Sequence, residues 1–321
     1  METRPLGASG LRVSALALGA MNFGADWLGI GALDDRAASS LLDLAIERGV
    51  SLIDTADVYG LGASEEALGR LLRGRRREKV LIATKTRWRT DPADPASEGL
   101  SARRIARALD ASLRRLRADR VDLYMAHGPD PAVPIEETLE ALDRAVRAGK
   151  VRAIGVSNFD GAELEAAAGA AKAAGLARVE FDQVQYSLAA PADGARAAPA
   201  AARVGASLTA WSPLAGGLLS GKYERPGASG RRAAPGAFPR LPPAAASAAV
   251  RVLLKTAALE GVSPVQVALG WVLSRPGVAS AIVGARTPGQ LAEALETRPL
   301  SARAAAFLDR AAAAVGGARG V

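Results

Sequence analysis

The chain has 321 residues, 49% hydrophobic and 23% charged, with 41 Lys and Arg against 33 Asp and Glu, one histidine and no cysteine. That profile belongs to a soluble globular protein long enough for two ordinary domains or one large α/β barrel, and the missing cysteines exclude disulfides, thiolate nucleophiles and Cys-rich zinc sites. With His127 alone, a His-based metal centre is excluded in practice, so the expected metal content is none.

In chain order, the first expected feature is a short β-hairpin around Arg4-Pro5-Leu6 and Leu11-Arg12-Val13, turning across Gly7 to Gly10. Ala15 to Gly19 is the first of eight short apolar runs, and Asp34 to Arg48 follows as a helix with Ala38, Leu41, Leu42 and Ala45 on one face, ending at Gly49. The runs Val50 to Asp54 and Val80 to Thr84 come next, then Ser101 to Arg117, a helix opened by a plausible N-cap serine. Val121 to Met125, a helix over Pro134 to Ala148 ended by Gly149, and Val151 to Val156 continue the alternation. It persists less cleanly through a helix near 160–175, the run Val179 to Val184, a helix near 193–203, the run Ser207 to Trp211, helices near 244–260 and 263–274, the run Ala279 to Val283, and a helix near 288–297. The stretch Ala189 to Ala202 is poor in polar residues, which predicts a short or loose helix there; Pro226 to Pro243 reads as a long mobile loop, and a terminal helix is expected from about Ala302 to Ala314.

Alternating strands and helices imply parallel strands joined by crossovers. Eight strands in this length favour a closed (β/α)8 barrel over an open doubly wound sheet, although spacing alone does not decide between them. The dinucleotide fingerprint G-x-G-x-x-G is missing: Gly19 to Gly24 has the wrong spacing, and Gly60-Leu61-Gly62 lacks the third glycine. No interdomain linker is visible, so residues 1–321 are expected to form one α/β domain, a (β/α)8 TIM barrel with an N-terminal β-hairpin and a C-terminal helix.

The formal charge of +8 invites a polyanion reading, but the arginines are scattered among acidic residues over helix-like segments such as Arg103-Arg104 and Arg114-Arg115. Only Arg73-Gly74-Arg75-Arg76-Arg77 is a basic run, and it lacks the interleaved aromatics of a single-strand binder. A solvated loop or helix end is its plain reading, and no nucleic-acid partner is expected. Only six of the basic residues are lysines, which makes part of the bias compositional. No apolar stretch approaches the ~18–20 residues of a membrane span, and no apolar signal core follows Met1 to Pro5, so the expectation is a cytoplasmic protein without a membrane partner.

In a barrel, reactive groups belong at the carboxyl ends of the strands. Asp54 ends the second run, Lys85 follows the third, His127 the fourth, and Tyr59 stands on the loop after Asp54. A free tyrosine ionises near pH 10, and a neighbouring ammonium favours its phenolate, so Lys85 is expected to lower that value while Asp54 holds the lysine and His127 orients a carbonyl oxygen. This is a general acid beside a polarised carbonyl, suited to reduction by hydride from a bound cofactor. Taken singly, each residue reads more simply as structural; only their combination argues for chemistry. Gly216 to Tyr223 has the G-x-x-x-x-G-K spacing of a P-loop, but Tyr223 replaces the hydroxyl residue that would bind magnesium.

From about residue 3 to residue 300 the sequence resembles the aldo-keto reductases. The matching stretches are Leu18 to Gly24, Ile53-Asp54-Thr55-Ala56-Asp57-Val58-Tyr59-Gly60, Ser64 to Gly69, Ala83-Thr84-Lys85, Ser112 to Leu116 with Asp122-Leu123-Tyr124 and His127, Gly149 to Asn158, and Trp211 to Leu214 with Gly221-Lys222-Tyr223. The resemblance implies a barrel that binds NADPH/NADP+ extended, without a Rossmann fingerprint, and a catalytic tetrad of Asp54, Tyr59, Lys85 and His127 with Tyr59 as proton donor. It implies that Gly19 and Met21 also contact the cofactor, that Ser157, Asn158 and Gln183 bond the nicotinamide carboxamide, and that Trp211 stacks on the nicotinamide. Ser212, Leu214 and Gly217 would line the pyrophosphate, with Gly284, Arg286 and Gln290 at the adenosine end, where Arg286 would pair with a 2′-phosphate. Ala294 departs from the family by replacing a polar residue near the adenine, leaving Gln290 and Glu293 as the polar candidates.

The implied activity is NADPH-dependent reduction of an aldehyde, ketone or keto-sugar by a monomer. The alternative is a cofactor-binding regulatory subunit of a partner protein with little turnover, as in the potassium-channel β subunits; a phosphate-dependent isomerase or lyase is a weaker third. Asn22 to Gly29, Trp88 with Arg87 and Arg89, and the loop from Tyr223 to Pro243 would close the substrate pocket. The tryptophans point to an apolar substrate and the arginines to an anionic one, which reading alone does not separate.

Overall fold

The computed structural model describes residues 1–224, 238–241 and 243–317. Two short strands, β1 (Thr3–Pro5) and β2 (Arg12–Ser14), pair antiparallel. Eight parallel strands then close into a barrel: β3 (Leu16–Gly19), β4 (Leu52–Asp54), β5 (Leu81–Thr86), β6 (Val121–Ala126), β7 (Val151–Ser157), β8 (Val179–Gln185), β9 (Ser207–Trp211) and β10 (Val278–Val283), with β10 joining β3. Each corresponds to one of the apolar runs. The fold is the α/β TIM barrel with an N-terminal hairpin.

The helices lie between the strands. They are α1 (Asp35–Glu47), α2 (Ala63–Leu71), the single turn α3 (Arg75–Glu78), α4 (Ala102–Leu116), α5 (Ile135–Arg147), α6 (Gly161–Ala173), α7 (Ala192–Val204), α8 (Pro243–Glu260), α9 (Pro264–Leu273), α10 (Pro288–Leu295) and the terminal α11 (Ala302–Gly317). Side-chain caps start many of them: Asp34 for α1, Ser101 for α4, Asp160 and Ser263 in full capping boxes for α6 and α9, and Thr287 for α10. Hydrophobic periodicity does not mark α2, because its buried residues include Ser64 and Glu65.

The alanine-rich stretch corrects one expectation. Instead of a short or loose element, α7 is a 13-residue helix, continuous across the internal Pro199, that buries Gly194, Ala197, Ala200 and Ala201. Small residues are what its position demands, since a Cβ on Gly194 would lie 2.2 Å from the Tyr186 ring. Polarity was the wrong criterion; close approach was the right one. Of the expected loop Pro226–Pro243, all but residues 238–241 and 243 lies outside the described residues.

Two apolar shells build the core. An outer shell between strands and helices includes Leu41, Ile53, Ile82, Leu109, Ile154 and Leu208. An inner cluster fills the lower barrel with Ala17, Leu52, Ala83, Leu123, Met125, Ala153, Phe181 and Ile282, and the hairpin's Leu6, Leu11 and Val13 join it from the amino-terminal end. Period-2 alternation thus turns Leu52 and Asp54 inward and Ile53 outward, and the inward positions become polar at the carboxyl end. The basic run is partly neutralised in place: Arg76 pairs with Asp43 at 2.7 Å and Arg77 with Asp122 at 3.1 Å. No single helix among the described residues is long and apolar enough to cross a membrane.

Candidate active site

Asp54 is the last residue of β4, Lys85 lies near the end of β5, and His127 follows β6 directly. Past Asp54 the chain keeps running beside β5: Thr55 N–H donates to the Ala83 carbonyl at 2.9 Å and Asp57 N–H to that of Lys85 at 3.1 Å. Tyr59 follows at the start of a 3-10 turn whose Gly60, Leu61 and Gly62 all have positive φ. Gly60 is required there, because a Cβ would meet the Ala25 Cβ at 2.7 Å.

These elements bring the four expected side chains together. The Lys85 ammonium, with no exposed surface, donates to Asp54 Oδ1 at 2.6 Å, the Thr55 carbonyl at 2.7 Å and the Tyr59 hydroxyl at 3.3 Å. Gln183 Nε2 donates to the other Asp54 oxygen at 2.8 Å. The His127 ring stands edge-on to Tyr59 with centroids 5.7 Å apart, and its Nδ1 is buried without a partner.

Electrostatics correct one expectation. Burial pushes the Tyr59 hydroxyl above its ordinary value, and although Lys85 pulls it down, desolvation with help from Asp54 prevails. Tyr59 is therefore a neutral phenol, held as a donor, at neutral pH. Burial opposes the Lys85 charge, but Asp54 and Tyr59 outweigh it and hold the ammonium above its usual range. Burial, seconded by Lys85, keeps His127 well below the usual histidine value, so the imidazole is neutral.

Above this cluster runs a groove of about 1030 Å³, lined by Asp54, Tyr59, His127 and every residue for which a cofactor contact was expected. Gly19 and Met21 lie at the β3 end, and Ser157, Asn158, Gln183 and Trp211 at the ends of β7, β8 and β9. Ser212, Leu214 and Gly217 follow on the turn after β9, and Gly284, Arg286 and Gln290 line the end beside α10. Lys85 alone lies beneath the lining. Asn158 is already engaged: it accepts from Trp211 Nε1 at 2.8 Å and donates to Ser157 Oγ at 3.1 Å and to the His127 carbonyl at 3.3 Å. Phe238, from the far side of the long loop, stacks on Trp211 with centroids 5.5 Å apart and rings within 4° of parallel.

The groove's far end has the character a nucleotide needs. The turn after β9 holds Ser212, Ala215, Gly216 and Gly217 at positive φ, and no atom lies within 4 Å of where a Gly217 Cβ would be, leaving the backbone open to close approach. No ion pair engages Arg286 among the described residues, and its backbone N–H is fixed by Gln290 Oε1 at 2.9 Å. Ala294 is fully buried, while Glu293 lines the groove beside Gln290. Trp27, Leu28, Trp88 and Arg89 stand on the outer wall; Ile30, Val58, Val265 and Ile282, which carry no signal beyond being apolar, also line the groove. Among the described residues no three His, Cys, Asp or Glu side chains come together as a metal would require.

An eight-stranded parallel barrel with an Asp–Lys–Tyr–His cluster under a long groove defines a class of oxidoreductase. The aldo/keto reductase family profile matches residues 15–313, and the chain belongs to that family. It is 37% identical over 313 residues to the uncharacterized oxidoreductase YrpG of Bacillus subtilis, covering 94% of this chain and 92% of that one. It is 36% identical over 305 residues to a probable voltage-gated potassium channel subunit beta of Arabidopsis thaliana, covering 91% and 90%, and 33% identical over 318 residues to a putative subunit of the same kind from Schizosaccharomyces pombe, covering 96% and 89%.

Proposed function

We propose that the protein reduces an uncharged, apolar or aromatic aldehyde or ketone to the alcohol, with NADPH as reductant and Tyr59 as proton donor. The observation that carries this is a neutral Tyr59 phenol bonded to a buried ammonium on the floor of a groove open to solvent. NADPH supplies the hydride when bound. Ser157, Asn158 and Gln183 would hold its carboxamide end, Trp211 its ring, and Arg286 its 2′-phosphate, a dianion that a free guanidinium suits.

The chain's own groups do the rest. His127, neutral, orients the carbonyl oxygen by a hydrogen bond. Tyr59 passes its proton to that oxygen as the carbonyl carbon is reduced, and the phenolate left behind is stabilised by the Lys85 ammonium, which Asp54 holds in place. Solvent then returns the proton to Tyr59.

The uncharged substrate follows from charge balance at the outer wall. Arg87 is bonded to the Pro129 carbonyl at 3.0 Å and paired with Glu98 at 3.3 Å and Asp130 at 3.6 Å; Arg89 pairs with Glu98 at 3.2 Å. Two cations meet two carboxylates beside Trp88, a residue 43% exposed. Beside Trp88, what the wall offers a substrate is therefore aromatic surface rather than free positive charge.

The test is NADPH oxidation with benzaldehyde, 4-carboxybenzaldehyde, a short dicarbonyl and a keto-sugar, with NADH as comparison and Tyr59→Phe beside the parent. Turnover of the neutral aldehyde, at least tenfold weaker turnover of its carboxylate analogue, and a loss of about 10²–10⁴ in the phenylalanine variant are expected. The similarity to channel subunits supports a second reading, a cofactor-binding regulator in the cytoplasm. Tight NADPH binding, read by tryptophan quenching, without turnover on any carbonyl would favour it. We take the monomer as the working state.

A further inference from the structure

The loop that carries Tyr59 is anchored on its outer side by charges that the chemistry above does not use. Asp57 stands two residues before Tyr59 and is 1% exposed. Its Oδ2 accepts from Thr86 Oγ1 at 2.7 Å and from the Arg104 guanidinium of α4 at 2.9 Å, while its own N–H is bonded to the Lys85 carbonyl. Arg104 is equally buried, and it is neither at the groove nor among its lining. We propose that Asp57, held by Arg104 and Thr86, is the positioning residue that fixes Tyr59 against Lys85, so that this buried pair sets the rate of the reaction from outside the groove.

The pair has a reason to be there. Directly after Tyr59 the backbone passes through three positive-φ residues, of which Leu61 at φ 54° carries a side chain that disfavours that conformation. A strained turn on one side of Tyr59 relaxes unless the other side is pinned, and the Tyr59 hydroxyl reaches Lys85 at only 3.3 Å. Small displacements then separate the donor from its cation. Burying two charges to hold a loop is otherwise expensive, since neutral packing would stabilise the fold equally well.

Asp57 is also poised to respond to protons. Burial raises it from 3.8 to about 6, against the pull of Arg104 and Thr86, and Glu65 adds to the rise. The charged and titratable groups that act on it are Arg104 of α4, Glu65 of α2, Tyr124 of β6 and Tyr59 itself, with Thr86 of β5 as a hydrogen-bond donor. Arg115 pairs with Glu65 at 2.7 Å, Thr84 donates to Glu65 at 2.6 Å, and burial holds the Tyr124 phenol well above its ordinary value. Burial thus brings Asp57 to about 6, against the pull of its two partners. A cavity of about 260 Å³, lined by Asp57, Arg104, Arg107 and Arg114 among others, lies beside it.

The inference rests on Tyr59 as proton donor, and the experiment separates the two. Parent, Tyr59→Phe, Asp57→Asn, Thr86→Val and Arg107→Ala are compared for kcat and KM from pH 5 to 8, NADPH affinity by tryptophan quenching, and amide exchange over residues 55–62. Asp57→Asn is expected to lower kcat by about 10- to 100-fold with NADPH affinity within about twofold of the parent. The parent's kcat falls on the acid side near pH 6 and the asparagine variant's does not, because the group that titrates is gone. Exchange over residues 55–62 rises about tenfold. Thr86→Val, which leaves the charge pair intact, loses kcat about three- to tenfold, and so keeps the test alive if Asp57→Asn does not fold. Arg107→Ala, 55% exposed on the cavity rim, matches the parent. Unchanged kcat in Asp57→Asn, an acid limb that persists, or unchanged exchange overturns the proposal. A Tyr59→Phe variant as fast as the parent overturns the donor assignment instead, and a parent without turnover overturns the reductase reading; in both cases exchange still decides whether Asp57 pins the loop.

Discussion

Lys85→Met isolates the buried ion pair at the centre of the site. Methionine keeps the length and much of the volume of the lysine stem but removes three donors: those to Asp54, to the Thr55 carbonyl and to Tyr59. Asp54, whose side chain is 5% exposed, then keeps only Gln183 as a partner and remains a buried charge without a counter-ion. Breaking one side of such a pair costs about 3–5 kcal/mol, a fifth or more of the ~5–15 kcal/mol that holds a typical domain together. Given about 2–4 °C per kcal/mol for somewhat shorter chains, and less for longer ones, the melting temperature should fall by roughly 5–15 °C. The companion variant Lys85→Met/Asp54→Asn removes the orphaned charge and should recover more than half of that loss. Neither should turn over, since the phenolate would have no cation beside it. Thermal melts by circular dichroism with NADPH oxidation on the same samples decide the matter. A single variant melting within about 2 °C of the parent, or a double variant no more stable than the single, would refute the account of a desolvated pair.

Two further expectations concern the scaffold. Asp182 on β8 is fully buried with no counter-ion among the described residues, and burial drives it well above the usual carboxylate range, although a backbone hydrogen bond from Phe159 opposes this. A carboxyl whose folded value is raised takes up a proton on folding, so its contribution to stability is present at low pH and lost as pH rises from about 4 towards the folded value. Asp182→Asn should therefore melt above the parent at pH 8, with the advantage shrinking towards pH 4; a difference independent of pH counts against this. Gly155→Ala places a Cβ 2.5 Å from the Phe181 ring inside the closed barrel, where nothing can yield cheaply. Overpacking of that kind costs about 1–3 kcal/mol by chemical denaturation, and Phe181→Leu in the same chain should return most of it; an alanine variant as stable as the parent would show that the ring moves freely.

What the sequence made legible and what it hid divide along a physical line. Strand runs such as Val80 to Thr84 are contiguous and apolar, and residues that end them, such as Asp54 and Lys85, sit in one stretch of chain each, so order alone places them at one mouth. The residues that line the groove were named through the family resemblance, since glycines, serines and single polar residues after strand ends carry no pattern of their own. Arg104 was not: on an amphipathic helix it reads as one more exposed cation, and only the packing of α4 against β5 shows it buried at 6% exposure against Asp57. For the same reason α2 escaped periodicity, since its inward face carries Ser64 bonded to the Ala20 carbonyl and Glu65 bonded to Thr84 and Arg115. The sign of the Tyr59 shift was hidden differently. Lys85 was visible beside it, but the loss of water around both groups depends on residues from several strands at once, and that loss outweighs the attraction. Polar groups buried in pairs thus defeat patterning twice, masking elements that carry them and reversing expectations about their charge. The site and its outer support are both built from such pairs, so the features hidden from sequence are concentrated around the loop that carries Tyr59.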